Sequence, residues 1–287
     1  MASAIFVGLS TIDIVYVVDE FPGQNEKVTA LSQDVYIGGP ATNACITFAH
    51  LGATATLVSA VGSHALAASI HSELQLHSIH LIDLNPEFAD LPVISSITVN
   101  SRGERNVVSA NAIRIEVPPP RVDKAALAQA SLLLVDGHFM QACLAWASAA
   151  RERRLSVVLD GGSWKQGSAE LLRFVDTVIC SVDFLPPGCA CEDDVIRYLS
   201  SAGVANIAIT RGPQPIHFQI GTESGLVPVP SITSVDTMGA GDIFHGAFCH
   251  FSAAGKGFAE ALAEAAKIAA ESCRHRGPRE WMKQSNA

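Results

Sequence analysis

The segment with the densest chemistry is Asp236-Thr237-Met238-Gly239-Ala240-Gly241-Asp242, set between a β-branched run and a long apolar helical pattern. Three small residues at a helix start leave the amides of the first turn uncovered. Those amides have no intrahelical acceptor and sit at the positive end of the helix dipole. A helix start of this kind holds a phosphate or a developing phosphoryl charge. Asp242 falls in the first turn beside that hole. It is expected to stay ionised, because the dipole favours the anionic form, and so to accept a proton from a substrate hydroxyl. The same residues also suit a plain glycine-rich turn followed by an acid, and alone they do not separate the two readings.

A second constellation changes the odds. Ile37-Gly38-Gly39-Pro40-Ala41-Thr42-Asn43 again sets paired glycines before a helix, with Asn43 in its first turn. Paired glycines let a ligand approach the backbone closely. Asn43 carries both a donor and an acceptor for a polyol. Upstream, Gly8-Leu9-Ser10-Thr11-Ile12-Asp13 closes the first apolar run and ends in a carboxylate, which can grip sugar hydroxyls through two oxygens. Singly, each of these equally serves as a cap or a turn. Neither the Gly-x-x-x-x-Gly-Lys-[Ser/Thr] loop nor a His-Arg-Asp catalytic loop occurs, and Gly8 stands without a Gly-x-Gly-x-x-Gly turn. Those absences exclude the P-loop and protein-kinase architectures and leave a dinucleotide-binding dehydrogenase as a weak rival. Cys189-Ala-Cys191, with no second pair and no nearby histidine, is not a zinc pattern.

These residues need a scaffold, and the chain can supply one. It has 287 residues, of which 48% are hydrophobic and 16% charged. That excludes a disordered protein, which needs low hydrophobicity and high charge. The net charge of −9, without a basic cluster, argues against nucleic-acid and anionic-membrane partners. Residues 35–70 contain no Asp, Glu, Lys or Arg, yet Gly38-Gly39-Pro40, Asn43, His50 and His64 interrupt them, which fits a buried helix and strand. The start of the sequence shows no basic, apolar leader pattern. A soluble, cytoplasmic protein is expected.

Strands are predicted at 5–7, 14–18, 54–61, 132–135, 157–159, 177–180 and 207–210. Helices are predicted at 41–51, 65–76, 140–153, 171–174, 194–201, 243–254 and 259–273. Their alternation implies βαβ units and a mostly parallel sheet. A hairpin over 93–110, turning at Ser101-Arg102-Gly103, departs from that alternation. With 14–18 and 35–37 it is expected to form a small sheet over the ligand crevice at the strands' carboxyl ends. Pro118-Pro119-Pro120 is a loop rather than a boundary, so residues 1–287 form one domain.

In their order, Gly8…Asp13, Gly38-Gly39…Asn43 and Asp236-Thr237-x-Gly239-Ala240-Gly241-Asp242 resemble the PfkB, or ribokinase-like, carbohydrate kinases over nearly the whole chain. Val7-Gly8, and the ending Ser272-Cys273-Arg274 followed by Gly277, look most like ketohexokinases and sulfofructose kinases. The resemblance implies an α/β fold with a three-layer α/β/α body, a mostly parallel central sheet and a small β-sheet lid. It implies an ATP-dependent kinase acting on a hydroxyl of a small carbohydrate, with a ketose favoured. Asp242 would be the base, with Gly239, Ala240, Gly241 and the Asp242 amide as the anion hole. Asp13, Gly38, Gly39 and Asn43 would hold the sugar. Thr210, Gly212, Asp236 and Thr237 would lie along the nucleotide, Asp236 near a monovalent cation. ATP and Mg²⁺, with a place for K⁺, and a homodimer through the lid also follow from the resemblance. The protein ligands of the metal stay undetermined, because the family's Asn-x-x-Glu reads Ser181-Val182-Asp183-Phe184 here. Lys27 either meets a phosphate or sulfonate or is exposed, and His138 either lines the pocket or is a satisfied or solvent-facing histidine. A catalytically silent sugar- or nucleotide-binding relative, and a nucleoside kinase, stay open as alternatives.

Overall fold

The computed structural model describes residues 2–113 and 115–286, the last three of these by backbone alone, so Met1, Arg114 and Ala287 of the expected domain lie outside it. The chain runs through β1 (Ser3–Val7), β2 (Thr11–Val17), β3 (Ser32–Gly38), α1 (Pro40–His50), β4 (Thr54–Ser59), α2 (Ala67–Leu76) and β5 (His80–Asp83). It continues through β6 (Ile94–Val99), β7 (Arg105–Ser109), α3 (Lys124–Gln129), β8 (Leu132–Val135), α4 (Met140–Glu152), β9 (Ser156–Gly161) and α5 (Ser168–Leu171). It ends with β10 (Thr177–Ser181), α6 (Glu192–Ser201), β11 (Asn206–Arg211), β12 (Gln214–Ile220), β13 (Glu223–Val227), α7 (Ala240–Ala253) and α8 (Phe258–Ser272).

Nine strands form the central sheet in the order β13-β12-β11-β10-β9-β8-β1-β4-β5. It is parallel except at one edge, where β12 runs antiparallel to both neighbours. A parallel sheet covered on both faces reads as short, continuous apolar runs, and Leu132-Leu133-Leu134-Val135 of β8 is buried throughout. Alternate side chains serve opposite layers. Ala4 and Phe6 of β1 join Leu132 and Leu134 in a core under α1, α2, α7 and α8. Ile5 and Val7 join Leu133 and Val135 in a second core under α4 and α6. The charge-free stretch is spread over β3, α1, β4 and the start of α2. No described helix is long and apolar enough to cross a membrane.

β5, β12, β13 and α3 were not anticipated. β5 and β13 are the two edge strands, β12 is the half-exposed strand next to one of them and α3 has only six residues, and short or half-exposed segments carry weak periodicity. The lid elements are longer than expected: β2 covers Thr11–Val17 and β3 covers Ser32–Gly38. With β6 and β7 they form a separate four-stranded sheet, ordered β3-β2-β6-β7. Asp13 of β2 pairs with Tyr36 of β3 and Ser95 of β6, so the hairpin lies beside the strand that bears Asp13 and outside the central sheet.

The sheet order reverses around β1, which β4 flanks on one side and β8 on the other. Asp136, just past β8, ties this point together. Its Oδ2 accepts the amides of Leu9 (2.8 Å) and Ala41 (3.2 Å), and its Oδ1 accepts that of His138 (2.8 Å). The ends of β1 and β8 and the start of α1 are thereby fixed around one crevice. On the far side of α1, a Cβ at Gly246 of α7 would stand 2.3 Å from the Ala44 carbonyl oxygen. Backbone there cannot give way. Gly246→Val is expected to cost about 1–3 kcal/mol by overpacking, read as a lower calorimetric Tm. An unchanged Tm would show that the two helices do not pack at this spacing.

Candidate active site

The last long βα connection delivers α7 to the crevice. Gly239 caps it at φ 70°, a left-handed backbone that disfavours a Cβ. The Ala240 amide turns back to the Thr237 carbonyl at 3.3 Å, and the Ile243 amide reaches the Gly239 carbonyl at 2.8 Å. Between them, the amides of Gly241 and Asp242 find no acceptor among the described residues. A side chain at Gly241 would meet open space. Of the expected anion hole, two amides at a positive helix end are thus free to meet an anion, while Gly239 shapes the turn and the Ala240 amide is already engaged.

α1 meets α7 at this point. Asn43 Nδ2 donates to Asp242 Oδ2 at 2.7 Å. Asn43 Oδ1 accepts from Arg279 Nη2 at 2.8 Å. Both ends of the amide are engaged within the protein, which leaves one N–H of Asn43 for a ligand. Asp13 is buried beside the lid and accepts the Thr11 hydroxyl at 2.8 Å. Burial pushes its carboxyl up, against the hydroxyls of Thr11 and Ser95 and the charge of Arg279. Any Cβ at Gly38 would fall 2.0 Å from Asp13 Oδ2, so the first glycine of the pair makes room for the carboxylate.

Asp242 is half-buried. Burial pushes its carboxyl up to about 7, and the negative charge of Asp160 acts in the same direction. The Asn43 hydrogen bond and His245 oppose them. The expectation that the dipole would hold this acid ionised is thus corrected: desolvation of a carboxylate outweighs one helix end. Beneath it, His245 Nδ1 lies 2.7 Å from the Gly241 carbonyl oxygen and Nε2 lies 3.1 Å from that of Ile179. Asp160 Oδ2, 3.5 Å from His245 Nδ1, has no hydrogen-bond partner among the described residues.

The remaining expected residues lie around this centre. Arg105 of β7 donates to the Thr237 hydroxyl, so the lid touches the loop before α7. Asp236 holds the amides of Met238 and Gly277, both at 2.9 Å. Thr210 and Gly212 sit at the β11–β12 turn, with the Thr210 hydroxyl on the Cys180 carbonyl at 3.3 Å. No described hydrogen bond joins Thr210 or Gly212 to the Asp242 cluster. Asp183 and Lys27 are exposed, and His138 is half-buried.

The structure thus brings Asp13, Gly38, Gly39, Asn43, Gly239, Gly241 and Asp242 to one place. It adds Asp136, Asp160, His245 and Arg279, which the motifs did not mark. Asp160 immediately follows the apolar run 157–159, and an acid at the carboxyl end of a strand could have flagged it. Nothing local marks Arg279.

A model of the pfkB family of carbohydrate kinases matches residues 1–284. The chain is 21% identical over 263 residues to the deoxyribokinase of Salmonella typhi, covering 85% of this chain and 84% of that protein. It is 22% identical over 289 residues to the ketohexokinase of Mus musculus, covering 93% and 94%. The structure of Arabidopsis thaliana ribokinase complexed with ribose and ATP superposes with a TM-score of 0.78 at 19% identity, covering 98% of this chain and 97% of that one.

Proposed function

This chain belongs to the pfkB family of carbohydrate kinases, and on that footing we propose that it transfers the γ-phosphoryl group of ATP to a hydroxyl of a small carbohydrate, a ketose in the leading case. The observation that carries the reading is the first turn of α7: a carboxylate raised to about 7 beside two amides with no acceptor among the described residues. In the proposed reaction the sugar oxygen attacks the γ-phosphorus as its proton passes to Asp242. The bond to the bridging oxygen breaks and ADP leaves. The transition state spreads negative charge over the γ-phosphoryl oxygens. The Gly241 and Asp242 amides, fixed at the helix start, would meet that charge without reorganisation. Asp13 and the remaining N–H of Asn43 hold the sugar. The lid, anchored by Arg105 on Thr237, keeps water from the phosphoryl group.

Mg²⁺ fits as an ion carried on the nucleotide. It binds phosphate oxygens and keeps several waters, and no group of three or more His, Cys, Asp or Glu forms a metal cage among the described residues. When bound it neutralises phosphate charge. Asp236 is oriented by two amides and keeps lone pairs for a K⁺. A kinase consuming ATP belongs in the cytoplasm, and seven free thiols fit a reducing compartment. The lid leaves Val35, Val107 and Val108 more than half exposed, which supports a homodimer through that face. Val108→Asp is expected to shift the chain to monomer in sedimentation, and an unchanged state in this variant speaks against the lid contact.

The reading is tested by ADP release across ketoses, aldoses, nucleosides, sugar acids and inositols, with and without Mg²⁺ and K⁺. Activity on nucleosides alone would move the substrate class, and no release with any acceptor would favour a silent binding protein. Asp13→Ala should raise KM for the accepted sugar roughly 10- to 100-fold, the loss of a charge-assisted hydrogen bond. The KM for ATP should hold steady. Equal effects on both substrates would remove Asp13 from the sugar pocket.

A further inference from the structure

Arg279 lies in the turn after α8 and belongs to none of the glycine motifs. Its side chain is only 15% exposed. Nε pairs with Glu73 Oε1 of α2 at 3.0 Å. Nη2 donates to the Ile37 carbonyl and to Asn43 Oδ1, both at 2.8 Å, and Nη1 donates to the Pro278 carbonyl at 3.2 Å. The Pro278 carbonyl also takes the Trp281 indole N–H at 3.1 Å. A nearly buried guanidinium has thus committed most of its five donors to fixed acceptors.

The consequence falls on Asn43. Its amide has one acceptor oxygen and one donor nitrogen. Turned as it is, the oxygen faces the Arg279 cation and the NH₂ faces the Asp242 carboxylate. Turned over, the NH₂ would face the guanidinium and the oxygen would face the carboxylate, and both contacts would repel. Without the guanidinium, one of the two restraints on that turn disappears. We propose that Arg279 is a positioning residue for the base: it locks the Asn43 amide in the orientation that donates to Asp242, and Glu73 locks Arg279. This deepens the reading of Asp242 as the base and rests on it.

The charges around the chain of contacts set the direction of the effect. Asp242 is faced by Asp160 from β9, Asp13 from β2, His245 from its own helix and the Arg279 guanidinium itself, whose charge acts in the same direction as the lock, with the neutral Asn43 from α1. Arg279 is faced by Glu73, Asp242 and Asp13. Glu73 in turn has His77 Nε2 at 3.7 Å. The Asn43 hydrogen bond favours the ionised form of Asp242 against burial and two like charges. Losing the lock should therefore make Asp242 harder to ionise. Removing the Glu73 charge while keeping its acceptor leaves Arg279 less neutralised and should make Asp242 easier to ionise.

The test is a carboxyl ¹³C NMR titration of the ligand-free full chain, with the Asp242 signal assigned by its loss in Asp242→Asn. In Arg279→Met the Asp242 midpoint should rise by about half to one pH unit, and in Glu73→Gln it should fall. Arg279→Lys keeps a charge without the planar fork and should fall between wild type and Arg279→Met. Each variant is first checked for a wild-type-like near-ultraviolet spectrum, and Arg279→Lys covers the case in which Arg279→Met fails to fold. In parallel, ADP release with D-fructose should lose roughly 10- to 100-fold in kcat in Arg279→Met, with the KM for ATP held, as misplacement of a reacting group does. A merely structural arginine would lower Tm and leave the midpoint where it was, and that result overturns the proposal. Opposite midpoint shifts in a chain that phosphorylates nothing would uphold the lock and overturn the kinase reading.

Discussion

Asp242→Asn is expected to cut turnover by about 10²–10⁴-fold while ATP affinity holds or tightens, because a general base contributes about that much. The variant keeps the side-chain shape, and its amide oxygen can still accept the Asn43 N–H that now reaches Asp242 at 2.7 Å. What it lacks is the oxygen that takes the hydroxyl proton. Two further signs follow from the raised carboxyl. The base must be ionised, so wild-type kcat/KM should climb with pH through about 7, the value to which burial brings it in the free protein. Stability has the opposite sense. A carboxyl whose folded pKa lies above its unfolded value holds more protons folded than unfolded. It therefore disfavours the folded state progressively from the ordinary carboxylate range up to about 7. Asp242→Asn should accordingly be at least as stable as wild type at pH 8 and should show no such loss between pH 5 and 8. Initial-rate profiles and Tm against pH check both. Near-equal turnover in wild type and variant would refute the role of Asp242.

Gly39→Val should do the largest damage to the fold. Gly39 has φ 97°, and a Cβ there would stand 2.2 Å from the Leu9 carbonyl oxygen and 3.0 Å from Ser10 Cα. A β-branched residue in that backbone region costs about 1–2 kcal/mol. The contact is with backbone held by Asp136 through the Leu9 amide, so relief requires moving β1, β2 or α1, at about 1–3 kcal/mol more. A total of about 2–5 kcal/mol is a large share of a typical stability of about 5–15 kcal/mol. Urea unfolding should show a lower midpoint with an unchanged slope. Any folded fraction should have lost sugar affinity, because Asn43 lies in the first turn of the helix that Gly39 caps. A midpoint within error of wild type would mean that the turn is not held as described.

The alternation of short apolar runs with alanine-rich helices was legible because burial on both faces of a parallel sheet removes polar positions from its strands. The glycine pairs and the polar residue after each, Asn43 and Asp242, were legible for a different reason. A turn that must place a backbone against a ligand restricts residue type within a few positions, so its signal is local. Asp242, Asn43 and Asp13 could be named from such windows. Arg279 and His245 could not be assigned a part in the site, since an arginine or histidine that serves a distant helix looks like any other in its own segment.

The sequence alone therefore determined the layered α/β body, the small sheet beside it, and the helix start on which phosphoryl chemistry is proposed. Tertiary structure decided the charge state and aim of the proposed base. Asn43 meets Asp242 across 199 residues and Arg279 meets Asn43 across 236. Folding removes water from all three groups at once. Desolvation then overrides the local helix dipole that a sequence window can see, and the orientation of one amide is fixed by a guanidinium that no window contains.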